Sequence, residues 1–188
     1  GDTLKYDKLV VSPGIDFKWD EVEGICVDDI EAIPHAWQGG SQTTLLQQQL
    51  VAMPDGGVFI IAPPGNPFRC PPGPYERISL IAHYFKKNKP KAKILVLDAK
   101  EKFSKQPLFI QGWEKLYPVM FVWVSGSSGG RIERVYVANR TLQTETGDLH
   151  KADVINFIPQ QKAAPLAHTA ELTNNDEIGR ASCLGRVF

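Results

Sequence analysis

Cys70 is the residue whose surroundings most invite chemistry. It lies in the stretch FRCPPGPYER (residues 68–77), just ahead of a run whose spacing predicts a helix. The positive end of that helix, with Arg69 and Arg77 close in sequence, would favour thiolate over thiol. Glu76, in the predicted first turn, is a candidate proton acceptor or donor. Sequence alone leaves each an ordinary alternative: a small buried hydrophobe for Cys70, a first-turn helix acid for Glu76.

Other patterns are weaker. His35, His83, His150 and His168 share no metal-ligand spacing, so no metal site is expected. The run SGSSGG (125–130) imitates a phosphate loop but lacks the Walker lysine and joins strands, which favours a flexible hairpin. There is no G-x-S-x-G elbow for a hydrolase. The spacings of Trp19, Trp37, Trp113 and Trp123 follow no single period, which suits packing rather than a binding stripe.

The elements that must position Cys70 follow from periodicity. Val58–Ala62 (VFIIA) and Lys93–Leu97 (KILVL) read as strands buried on both faces. Between them, residues 75–87 place Ile78, Ile81, Ala82 and Phe85 on one helical stripe, closed by Pro90. This is a βαβ unit, parallel and right-handed by rule. Ser41 is expected to cap a helix through Met53, Pro107 to open another towards residue 117, and residues 119–124 to form a third strand. Residues 131–138 and 142–146 suggest an antiparallel excursion, with 154–158 as a return strand. Residues 4–15 read as a further strand ending at Pro13-Gly14. The expected fold class is α/β, a Rossmann-like βαβ domain with a small antiparallel excursion.

In a dinucleotide-binding unit the first strand-to-helix turn is glycine-rich, and its N–H groups hold the pyrophosphate. Here that turn reads APPGNPFRCPPGP (62–74), containing six of the 14 prolines. Proline has no N–H to donate. Asp98 stands where such folds place a ribose-binding acid, but without the glycine turn no nicotinamide cofactor is expected.

The 188 residues are 43% hydrophobic and 22% charged, with 21 basic and 21 acidic side chains. That balance argues against nucleic acid and anionic membrane surfaces. No apolar run approaches the roughly 20 residues of a transmembrane helix. Three scattered cysteines make no disulfide scaffold. The chain starts at Gly1 without a leader, and residues 177–188 (EIGRASCLGRVF) resemble translated sequencing-adapter DNA, so a fragment truncated at both ends with a non-native tail is expected.

The stretch FRCPPGPYER resembles the flavoprotein subunit of flavocytochrome c sulfide dehydrogenase. So do PHAW (34–37), VFIIAPP (58–64), FSKQ (103–106), GWEKLY (112–117) and KADVIN (151–156), and the resemblance covers about residues 4–175. It implies a two-dinucleotide-domain flavoprotein like glutathione reductase: residues 1–40 end the first FAD-domain segment, 41–160 form the inserted Rossmann-like domain, and 161–176 begin the return. It also implies that Cys70 is half of a redox-active disulfide that accepts sulfide sulfur beside the flavin, with Glu76 as the nearby acid. Ser12, Pro13 and Gly14 match, weakly, the strand-end motif that passes the FAD. Electrons would leave to a cytochrome c haem subunit in the periplasm. The family's pyrophosphate loop, flavin-attaching cysteine and partner cysteine have no counterpart here, and Cys26 and Cys183 match none of them. The isolated chain is therefore expected to be inactive. Sulfide:quinone reductase, an NADH-dependent disulfide reductase and a purely structural Rossmann-like module are the alternatives.

Overall fold

The computed structural model describes residues 3 and 5–173. The expected non-native tail, with Cys183, lies outside the described residues. The described residues divide into two compact units, residues 18–160 and the residues up to 17 together with 161–173.

The larger unit is built on β2 (Val58–Ala62), β3 (Lys93–Leu97), β4 (Phe121–Val124) and β8 (Val154–Phe157), all parallel in the order β4-β3-β2-β8. In the smaller unit β1 (Ile15–Phe17) pairs antiparallel with β9 (Gln161–Ala163), and Asp16 forms an ion pair with Lys162 at 3.8 Å. A short helix, α4 (Pro165–Thr169), follows.

Alternation along β2 sends its side chains to two different layers. Phe59 and Ile61 face three helices: α1 (Ser41–Ala52), α2 (Gly73–Asn88) and α3 (Gln106–Leu116). Ile60 and Ala62 face an antiparallel sheet of β5 (Ile132–Tyr136), β6 (Thr141–Thr144) and β7 (Leu149–Lys151), through Val135 and Leu142. The excursion therefore covers the face that a doubly wound fold would cover with helices. Ile78, Ile81, Ala82 and Phe85 are all buried, as their spacing predicts, and Pro107 sits in the first turn of α3.

Four expectations change. Of residues 5–15 only Ile15 is in a strand, and Leu9 and Val10 are 63% and 89% exposed, because an apolar run becomes a strand only where a partner strand meets it. Ser41 is the first helical residue rather than the cap. Gly40 takes the cap position, its carbonyl accepting from the Thr43 and Thr44 hydroxyls. The SGSSGG run forms no hairpin: a 3-10 turn at Gly126–Ser128 is pinned by Glu101, which accepts from the Ser127 N–H and hydroxyl, both at 2.6 Å. Finally, β7 is a strand that periodicity missed.

Candidate functional site

Counted within the sheet, the strands run third-second-first-fourth, so the order reverses between β2 and β8. Ligand crevices in open parallel sheets lie at such a point, beyond the carboxyl ends of the strands. The β2–α2 loop, residues 63–72, lies there. Its cysteine is exposed, not the buried hydrophobe of the alternative reading. Cys70 has φ +59, a left-handed conformation that costs a non-glycine residue on the order of 1 kcal/mol. Its carbonyl accepts from the Gly73 N–H at 2.9 Å, so a tight turn delivers the chain into α2. Glu76 is exposed in the first turn of that helix. The structure thus brings Cys70 and Glu76 to one helix end.

Arg77 plays a different part from the one its sequence neighbourhood suggests. Its guanidinium donates to the His35 carbonyl (3.2 Å), the Ala36 carbonyl (2.5 Å) and Asn156 Oδ1 (2.8 Å). Burial lowers its pKa to about 10. Asn156, fully buried in β8, donates to the carbonyls of Pro34 and His35, each at 2.8 Å. The irregular segment 34–37 is thus held by side chains where no strand or helix satisfies its carbonyls. His35 Nδ1 accepts from the Trp37 N–H at 3.0 Å. Burial first, and the Arg77 charge second, lower the His35 pKa to about 4, so the ring is neutral at pH 7.

The end of β3 carries the second polar cluster. Asp98 is fully buried and accepts from Tyr75 OH (2.5 Å), Trp123 Nε1 (3.1 Å), the Lys100 N–H (3.1 Å) and Lys100 Nζ (2.6 Å). Lys100 Nζ also donates to the Pro64 carbonyl at 2.7 Å, and so ties the β2–α2 loop to the end of β3. Burial lowers the Lys100 pKa, opposed by Asp98; burial and then Asp98 raise that of Tyr75. An acid so fully engaged has no oxygen turned outward for a ribose. On the other side, Gln160 Nε2 reaches the Pro67 carbonyl at 3.4 Å.

Ser12, Pro13 and Gly14 are exposed in the smaller unit, and Gly14 has φ +82. They directly precede β1. Among the described residues no group of three or more His, Cys, Asp or Glu side chains is placed to hold a metal ion, and no helix is long and apolar enough to cross a membrane.

Sequence reasoning missed Lys100, Asn156 and the role of segment 34–37. Two signals were available: an Asp-x-Lys pair closing a buried strand, and an asparagine inside the otherwise apolar VINF.

The sequence pattern of the family described as "Sulfide dehydrogenase (flavocytochrome c) flavoprotein chain, central" matches residues 43–159. Among solved structures, a chain of the Tetrahymena thermophila mitochondrial ATP synthase (F1Fo composite tetramer, cryo-EM) is similar in fold, with a TM-score of 0.52 at 14% identity. The match covers 87% of this chain and 43% of that one.

Proposed function

This chain belongs to the family of the central part of the flavoprotein chain of flavocytochrome c sulfide dehydrogenase, and from that membership we propose that it carries the sulfur-accepting cysteine of an FAD-dependent sulfide dehydrogenase. The observation that carries the reading is Cys70: an exposed thiol on a rigid loop, at the carboxyl end of a parallel strand and the start of a helix. A nucleophilic or leaving sulfur needs access and a fixed direction, and this loop supplies both.

In the proposed reaction, hydrosulfide attacks a disulfide made by Cys70 and a second cysteine of the complete protein. One S–S bond breaks, a persulfide forms, and the displaced cysteine leaves as thiolate. Glu76 holds or moves the proton of the attacking sulfide. The flavin, held by the complete protein, supplies the two-electron acceptor chemistry, and the proposed final acceptor is the haem of a cytochrome c partner in the periplasm. The larger unit is proposed to be a domain inserted in the FAD domain. The smaller unit, built from both sides of it in sequence, supports that reading.

A nicotinamide reductase is disfavoured on geometric grounds. Prolines replace the N–H donors of the phosphate turn, Lys100 holds the Pro64 carbonyl, and Asp98 is consumed internally. NADH titrated against tryptophan fluorescence should give no saturable change. In the complete protein, Cys70→Ser should abolish sulfide-dependent cytochrome c reduction, and unchanged turnover would remove Cys70 from the mechanism.

A further inference from the structure

We infer that Trp37 is a positioning and specificity-determining residue for Cys70. Its indole walls one side of the thiol, so that small sulfur nucleophiles reach the sulfur and bulky thiols do not. The inference rests on the reading of Cys70 as the sulfur acceptor and names the size class of its substrate.

The geometry begins at Gly73, the first residue of α2. A Cβ built there would lie 2.8 Å from Trp37 Cη2 and 3.2 Å from Cys70 Sγ. The indole tip and the thiol sulfur therefore share the space above Gly73, and only glycine leaves that space to them. The ring is held from two sides. The Arg77 guanidinium carbon lies 5.2 Å from its centroid, and the Phe68 ring packs tilted against it at 6.5 Å. Its backbone is fixed as well. Three successive carbonyls, of Pro34, His35 and Ala36, are taken by Asn156 and Arg77, and the Trp37 N–H is taken by His35. Ala36 is held at φ +48, outside the conformations an alanine adopts freely.

The backbone that carries the thiol is stiff. Pro71 and Pro72 follow Cys70 directly, and its own left-handed backbone fixes the direction of Cβ. A hydrosulfide ion needs only the open side of the sulfur. A peptide thiol or another bulky nucleophile brings substituents that meet the indole or Phe68. Discrimination of this kind comes from an apolar wall in the wrong place for the larger reagent.

The test uses the full chain with Cys26→Ser and Cys183→Ser, leaving Cys70 as the sole thiol. Methyl and benzyl methanethiosulfonate share one chemistry: the Cys70 thiolate attacks the sulfenyl sulfur, a mixed disulfide forms and methanesulfinate leaves. Their second-order rate constants differ only through the transferred group. Trp37→Ala should raise the benzyl rate by about tenfold, the discrimination expected of one apolar wall. The methyl rate should change by less than about threefold, since the thiol's own reactivity is retained. Trp37→Phe, which keeps an aromatic ring and guards against loss of folding, should fall between. Arg77→Gln should act in the direction of Trp37→Ala. An unchanged benzyl-to-methyl ratio in both Trp37 variants, or equal changes of the two rates, overturns the inference. The ratio is read without sulfide turnover, so it stands or falls separately from the Cys70→Ser result.

Discussion

The ends of β2 and β3 are neighbours in one parallel sheet, yet they treat their reactive groups in opposite ways. At the end of β2, five prolines stiffen a loop that turns a thiol outward. At the end of β3, an acid, an ammonium, a phenol and an indole are folded inward on one another around Asp98. The two are joined where Lys100 holds the Pro64 carbonyl. A charged cluster buried this way contributes to conformation, whereas an exposed thiol contributes to reaction. Stability and activity should therefore separate along the boundary between β2 and β3.

The largest effect is expected at Asp98. Asp98→Ala leaves the Lys100 ammonium buried without its counter-charge and strands the Tyr75 hydroxyl, at a cost of about 3–5 kcal/mol. Urea unfolding followed by tryptophan fluorescence measures it, and a loss below about 1 kcal/mol would mean the cluster is not what holds the strand end.

The next effect depends on pH. The His35 pKa is about 4 in the folded chain against 6.5 unfolded, so the unfolded state binds the extra proton as pH falls through that window. The stability contributed by neutral His35 is complete above pH 6.5 and is lost as pH falls towards 4. The loss reaches about 2–3 kcal/mol. His35→Asn, whose side-chain oxygen can still accept from the Trp37 N–H, should flatten this dependence relative to wild type in urea titrations at pH 7 and pH 5.

Smaller is the effect at the β4 end. Glu101 is exposed, and the Ser127 hydroxyl and N–H lower its pKa. Glu101→Gln should slow or speed nothing at Cys70 and leave the unfolding midpoint nearly unchanged. The smallest is Cys70→Ser itself, which should alter stability by less than about 0.5 kcal/mol, as surface substitutions do, while removing the proposed activity. A Cys70→Ser protein as unstable as Asp98→Ala would erase the contrast between the two strand ends.

The parallel sheet was legible in the sequence because burial on both faces writes itself as VFIIA and KILVL, and α2 because one stripe of Ile78, Ile81, Ala82 and Phe85 carries its core contacts. The second layer was less legible. Three residues of β7 and three of β9 are too few for a period to show, and their pairing depends on distant partners. The site divides similarly. Cys70 announced itself through its composition, but what surrounds it comes from far along the chain. Asn156 and Trp37 meet Arg77 of α2 from 79 and 40 residues away in sequence, and no local pattern specifies a hydrogen bond between β8 and segment 34–37. Arg77 illustrates the hazard: adjacent to the thiol in sequence, it spends its charge on carbonyls of that segment.

The most direct test is to ask where sulfur lands. The complete flavoprotein, turned over briefly with sulfide and then alkylated and digested, should yield a persulfide on the peptide containing Cys70, with none on the peptide containing Cys26. Sulfur on another cysteine, with Cys70 recovered only as unmodified thiol, would contradict the account.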